Sequence, residues 1–186
     1  HQLANFNSPV HLSLYGKFDL QDNLIASDLR KIIKTQRAFF NDYDFPYYLI
    51  SLIEGNVPYS YGGTELHNSF TAYLPRGMSR VDYYKLFAHE HFHSWTGGKI
   101  RNNEQEELNY WWTEGFTEYY SRVLALRSGG LSIEEFINDC NQFLRNYYLS
   151  PVLNESNARI KRDFWKDNDV YKLPYNRGFV FAIYLN

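Results

Sequence analysis

Residues 85–98 read KLFAHEHFHSWTGG and place three histidines and one glutamate within five positions. On an α-helix, side chains four residues apart lie on the same face, with their Cβ atoms about 5–6 Å apart. His89 and His93 form such a pair, so a helix here would let both imidazoles reach one metal ion. Glu90 follows His89 directly and can contact a water molecule on that metal. This is the H-E-x-x-H pattern of zinc sites.

The remaining histidine of the cluster, His91, faces nearly the opposite side of such a helix and is expected to be a surface or packing residue. An accidental pair of helical histidines is the alternative interpretation of the pattern. A structural zinc ion would usually require four protein ligands, typically including several cysteines. The chain has a single cysteine, Cys140, far along the sequence. The site is therefore expected to keep one coordination position open.

A catalytic zinc site usually has three protein ligands, and the segment YWWTEGFTEYY at 110–120 offers candidates for the third. Glu114 lies among bulky apolar residues, where an unpaired carboxylate is costly and a zinc ion would satisfy it. Glu118 lies one turn further on the same face. It could accept the second ring N–H of a ligating histidine, or it could be a solvated helix carboxylate.

The hydrophobic pattern predicts strands in the first part of the chain and helices in the second, which favours an α+β fold. Predicted strands and extended stretches cover 10–16, 47–53 and 64–74. Predicted helices cover 26–40, capped at Ser27-Asp28; 79 to the glycines at 97–98; 110–127; 132–148, with a capping box; and 174 to the last residue. The stretch 152–172 is expected to be irregular.

The net charge of −2, with no long basic run, argues against nucleic-acid binding. No stretch of 18 apolar residues is present, so no membrane segment is expected. The sequence lacks an initiator methionine and stops inside an apolar run, and we expect it to be part of a longer protein.

Several segments, in order along the chain, resemble the M61 glycyl aminopeptidase family of gluzincin metallopeptidases and, less closely, the M1 aminopeptidases. The resemblance extends from about Gly62 to the last residue, and more faintly before it. The segments that carry it are GGTELHNS at 62–69, the H-E-x-x-H motif, WTEGFTEYY at 112–120, LALRSGGLS at 124–132 and LPYNRG at 173–178.

The resemblance implies a thermolysin-like catalytic domain over 1–186, with a sheet-bearing lobe at 1–78 and a helical lobe at 79–186. It also implies flanking domains in the parent chain. One zinc ion would be bound by His89, His93 and Glu114.

The resemblance assigns the remaining roles as well. Glu90 would be the general base, and the Tyr175 hydroxyl would stabilise the oxyanion. Glu65 would hold the free α-amino group of a peptide, with Gly63 of the same segment among the substrate-binding residues.

The implied activity is removal of N-terminal, small residues from peptides with a free N-terminus. Two other functions remain open: a zinc endopeptidase, and an inactive peptide-binding module on the same fold. Glu65 could also simply be a surface charge beside a turn, and the endopeptidase would not need it to bind an amino group.

Overall fold

A computed structural model describes residues 2–5, 8–55, 61–101, 103 and 105–186. The chain forms two compact units. The first unit comprises residues 1–94 and 124–131, and the second comprises 95–123 and 132–186. The division into lobes at 1–78 and 79–186 stays a prediction.

The first unit contains a mixed sheet, in which the described residues form five strands in the order β1-β2-β3-β5-β4. The three inner strands are parallel to one another, and each edge strand is antiparallel to its neighbour. Along the central strand, Ile50 and Leu52 are buried and alternate with more exposed residues, as expected for a strand with one covered face. The strands are β1 (Gln2–Asn5), β2 (Pro9–Tyr15), β3 (Tyr48–Gly55), β4 (Gly62–Leu66) and β5 (Ser69–Pro75).

Two helices of the first unit, α1 (Asp22–Phe40) and α2 (Arg80–Phe92), pack against each other. The apolar positions of α1 recur at helical spacing and are buried: Ile25, Leu29, Ile32 and Ile33. Helix α2 also packs against β4 and β5. This packing places the histidine cluster beside the edge of the sheet.

The largest differences from the sequence prediction in this unit are at three boundaries. Helix α1 begins four residues before Ala26, because Asp28 is buried inside the helix and accepts two hydrogen bonds from Arg80, at 2.8 and 2.7 Å. The predicted extended stretch 64–74 is two strands, since Asn68 takes a left-handed conformation with φ of 55° and turns the chain. Helix α2 ends at Phe92, before the glycines at 97–98.

The second unit is built mainly from helices in the part of the chain that the structure describes. Its helices are α3 (Glu106–Arg127), whose last four residues belong to the first unit, α4 (Ile133–Tyr148), α5 (Asn157–Asp163) and α6 (Asn168–Leu185). Helices α4 and α5 both pack against α6. The predicted capping box of α4 is present, since the Ser132 hydroxyl accepts from the Glu135 backbone N–H at 3.1 Å and the Glu135 carboxylate accepts from the Ser132 backbone N–H at 2.7 Å.

Three predictions for this unit are wrong. Helix α3 begins at Glu106, four residues before the predicted start at Tyr110. The stretch 152–172 is not irregular, because Ser156 caps α5 within it. Helix α6 begins at Asn168 and not at Pro174, because the Asp167 side chain accepts hydrogen bonds from two backbone N–H groups and starts the helix earlier.

Strands occupy the first part of the chain and helices the second, so the predicted α+β class is confirmed. Within the described ranges, no helix combines the length and the apolar character needed to cross a bilayer.

Candidate metal centre and active site

Helix α2 carries the histidine pair at its C-terminal end. The Ser79 hydroxyl caps the helix by accepting from the Asp82 backbone N–H at 3.2 Å. His93 is the last, capping residue and keeps a right-handed helical conformation, with its N–H bonded to the His89 carbonyl at 3.3 Å. The two histidines therefore keep the four-residue helical spacing that the sequence predicts.

The two imidazoles of this pair face each other. The Nε2 atoms of His89 and His93 lie 3.0 Å apart, and the rings meet edge to face with centroids 4.6 Å apart. Two nitrogen ligands of a tetrahedral zinc ion, each at 2.0–2.1 Å from the metal, lie about 3.3 Å from each other. The spacing of the two nitrogens thus fits one shared zinc ion.

His89, His93 and Glu114 form a group that could hold a metal ion. Each offers one ligand atom, and the three atoms all lie within 4.8 Å of one another. Two imidazole nitrogens and one carboxylate oxygen are a donor set of catalytic zinc sites. The residues present therefore fit the zinc ion that the sequence predicts.

His91 is a buried packing residue, which settles the alternative left open by the sequence. Its Nδ1 lies 2.7 Å from Gln36 Oε1, and the Gln36 amide donates to the Ala88 carbonyl at 2.8 Å. Its ring meets the Tyr48 ring edge to face at 5.0 Å. Burial, with a smaller contribution from the charge of Arg37, lowers the pKa of His91 to about 3. His91 is thus neutral at physiological pH and ties α2 to α1.

A second buried hydrogen bond holds the residue that follows the histidine pair. The Tyr48 hydroxyl lies 3.0 Å from Ser94 Oγ. Gln36, Tyr48 and Ser94 therefore fix α2 on both sides of the motif. No local pattern in the sequence predicts these contacts, because Gln36 and Tyr48 lie more than 40 residues from the residues that they bind.

Glu90 is buried, with 5% of its surface exposed. Its carboxylate lies directly against the backbone of β4. A Cβ atom added at Gly63 would lie 2.4 Å from the Glu90 carboxyl carbon and 2.6 Å from Oε1. Gly63 therefore makes room for the Glu90 side chain, a role beyond the substrate contact predicted for it. A glycine inside a strand was the available signal, since such glycines often mark a close approach.

Glu65 lies on the same strand and, two residues from Gly63, points to the same face of β4. Burial raises the pKa of Tyr48 above its ordinary value, and the charges of Glu65 and Glu90 raise it further. Both carboxylates are thus close enough for their charges to act on the Tyr48 hydroxyl. Glu65 is half-buried, which differs from the freely exposed turn charge that was its alternative.

In the second unit, two glycines bring α3 and α6 into backbone contact. A Cβ atom at Gly178 would lie 1.7 Å from the Trp111 carbonyl oxygen, and one at Gly115 would lie 2.4 Å from the Gly178 Cα. Only glycines permit such an approach. Glu114 precedes the first glycine and Tyr175 lies one turn before the second, so the contact sets these two side chains beside each other.

Tyr175 is held as a neutral phenol. Burial raises its pKa far above the ordinary value, and the negative charge of Glu114 and then that of an ionised Tyr171 raise it further. Hydrogen bonds to Tyr171 and Glu114 act in the same direction because they hold the phenolic proton. The Tyr175 hydroxyl is therefore a permanent hydrogen-bond donor beside the carboxylate of a candidate metal ligand.

Glu118 forms an ion pair with Arg122, which also donates to Asp139 Oδ2 at 2.9 Å. The Glu118 side chain is only 17% exposed, so it is not the solvated carboxylate that was its alternative. A bond from Glu118 to a ligating histidine stays a prediction.

Comparisons with known proteins agree with the predicted resemblance. The model of the M61 glycyl aminopeptidase family matches residues 82–170, which include the histidine motif and Glu114. Leucine aminopeptidase 2 of Candida glabrata is 33% identical over 86% of this chain and 25% of its own length. A leukotriene A-4 hydrolase homolog of Botryotinia fuckeliana is 29% identical over 87% of this chain and 25% of its own length.

The crystal structure of an aminopeptidase N family protein from Idiomarina loihiensis has the same fold, with a TM-score of 0.76 and 21% identity. That match covers 98% of this chain and 36% of the other. The chain spans about a quarter of the length of the curated relatives named above. These matches confirm the resemblance inferred from the sequence: the chain is similar to the M61 glycyl aminopeptidases over residues 82–170 and, more distantly, to the aminopeptidases named above.

Proposed function

We propose that this chain carries the active site of a zinc-dependent aminopeptidase that removes N-terminal residues from peptides. The observation that carries the proposal is the group of His89, His93 and Glu114, whose ligand atoms lie within 4.8 Å of one another. The match to an aminopeptidase family over the same segment supports it. In this proposal the three residues hold one zinc ion.

Bound zinc lowers the pKa of a coordinated water molecule to about 7 and polarises the carbonyl group of a substrate. The chain's own residues perform the proton transfers. The Glu90 carboxylate accepts the proton of the attacking water and later passes it to the nitrogen of the leaving amine. Gly63 leaves the space in which that carboxylate lies.

Tyr175 and Glu65 orient the substrate in this proposal. The Tyr175 hydroxyl keeps its proton, so it can donate a hydrogen bond to the carbonyl oxygen as negative charge develops there. The Glu65 carboxylate pairs with the ammonium group of the N-terminal residue. This ion pair would restrict cleavage to the first peptide bond.

The test uses zinc-loaded protein with alanyl-p-nitroanilide and its N-acetylated counterpart. The wild type should hydrolyse only the amide with a free amino group. Glu90→Gln should bind zinc equally well but lose about 10²–10⁴ in kcat, because the general base is removed. Glu134→Gln, an exposed glutamate on α4, is the matched control and should retain full activity.

Two outcomes would favour the other functions. Equal cleavage of the free and the blocked amide would favour an endopeptidase and remove the role of Glu65. Equal behaviour of the wild type and Glu90→Gln would favour a peptide-binding module.

A further inference from the structure

A row of aromatic side chains leads from Tyr175 to the surface of the second unit. Tyr171 lies one turn before Tyr175 on α6, and their ring centroids are 5.4 Å apart. Trp165 is the next ring toward the surface, with its centroid 6.3 Å from that of Tyr171. We call Trp165, Tyr171 and Tyr175 the aromatic strip.

The aromatic strip packs on a buried phenylalanine ring. Phe164 is buried in a core cluster with Ile160, Val170 and Leu173. Its ring centroid lies 4.9 Å from that of Trp165 and 4.8 Å from that of Tyr171. The exposed rings therefore rest on an anchored base, and their positions cost little to maintain when a ligand binds.

Exposure rises steadily along the strip away from the candidate catalytic residue. Tyr175 is half-buried, Tyr171 is 37% exposed and Trp165 is 81% exposed. Rings of tyrosine and tryptophan present a large apolar face with a polar edge, which suits them to contact both the side chains and the backbone of a peptide. A single exposed apolar residue needs no explanation, but a continuous row that ends at Tyr175 and Glu114 differs from scattered exposure.

We propose that the aromatic strip is the binding subsite for the residues that follow the scissile bond, and that it favours peptides with aromatic or large apolar side chains there. The proposal rests on the proposed aminopeptidase function. An aminopeptidase holds a single residue before the scissile bond, so all further length of a substrate must extend on the leaving-group side.

The dimensions of the strip define which residues it can reach. The two centroid separations place Trp165 no more than about 12 Å from Tyr175. An extended peptide advances about 3.3 Å per residue. The rings therefore match the first three or four residues after the scissile bond, with Trp165 contacting the outermost of these.

The test compares Ala-Gly-Phe-Phe-amide with Ala-Gly-Gly-Gly-amide as substrates of the zinc-loaded protein. The wild type should have the higher kcat/KM for the aromatic peptide, mainly through a lower KM. Trp165→Ala should reduce this preference by about two- to tenfold, as expected for the loss of one aromatic contact. Trp165→Phe should retain most of it. Leu149→Ala removes an apolar side chain of similar exposure, 71%, from a turn outside the strip and should leave kcat/KM unchanged for both substrates.

Equilibrium binding supplies a readout that is independent of turnover. In the Glu90→Gln background, calorimetry should show weaker binding of the aromatic peptide after Trp165→Ala, by the same factor. An unchanged preference and an unchanged affinity would overturn the subsite while leaving the aminopeptidase function intact. If the wild type fails to hydrolyse even alanyl-p-nitroanilide, the proposed function itself is wrong, and the subsite is rejected with it.

Discussion

Replacement of Gly63 by alanine should lower the rate of catalysis while leaving the stability of the fold almost unchanged. The new Cβ atom would lie 2.4 Å from the Glu90 carboxyl carbon, whereas ordinary contacts begin at 3.4 Å. The carboxylate must therefore move by about 1 Å, and a misplacement of that size in an active site costs about 10²-fold in rate. This corresponds to about 2.7 kcal/mol of activation free energy.

The free energy of unfolding should change by less than about 1 kcal/mol, since the group in the way is the end of a flexible side chain that can rotate. Zinc content should also be unchanged, because Glu90 is not a ligand in the proposed site. The assay is kcat for alanyl-p-nitroanilide, together with metal analysis and urea unfolding of the same samples.

Gly62→Ala is the matched control, because a Cβ atom on this neighbouring glycine of β4 would meet no atom of the described residues within 4 Å. It should retain wild-type kcat. Full activity of Gly63→Ala would refute the placement of Glu90 against β4 or its role as the base. Equal loss in both variants would point to a general disturbance of the strand.

Three further predictions concern other parts of the site. Tyr175→Phe should lower kcat for alanyl-p-nitroanilide by about 10²–10³ with little change in KM, because one donor to the developing oxyanion is lost; a kcat within twofold of wild type would exclude that role. Gln36→Leu should lower the free energy of unfolding by about 2–4 kcal/mol, measured in urea, because it removes two buried hydrogen bonds and leaves buried polar groups unsatisfied. Gln142→Leu, on the exposed face of α4, should change the same quantity by less than about 0.5 kcal/mol. Gly178→Ala should cost about 3 kcal/mol or more in the same assay, because its Cβ atom would overlap the backbone of α3, which cannot rotate away; a near-neutral result would contradict the helix contact.

Local patterns predicted the elements that carry the candidate metal ligands. The four-residue spacing of His89 and His93 requires only a helix, and Ser79 supplies a cap for it, so both features could be seen in the sequence. Glu114 stood out because a carboxylate among bulky apolar residues needs a partner. These inferences depend on short-range rules, and the structure retains the geometry that they imply.

The supporting contacts could not be predicted because they join residues that are distant in sequence. Gln36 holds His91 across 55 positions, and Gly63 accommodates Glu90 through the packing of α2 on β4. Periodic patterns in the sequence do not indicate contacts between such distant residues. The misplaced start of α1 has a similar cause, since Asp28 resembled a helix cap and is instead a buried partner of Arg80.

X-ray diffraction at the zinc absorption edge, on crystals grown from the zinc-loaded protein, locates the metal and its ligands. We expect one anomalous peak about 2.0–2.2 Å from a nitrogen of His89, a nitrogen of His93 and a carboxylate oxygen of Glu114. A peak that lacks any one of these ligands, or no peak at this position in crystals whose protein solution contained excess zinc, would contradict the proposed zinc site.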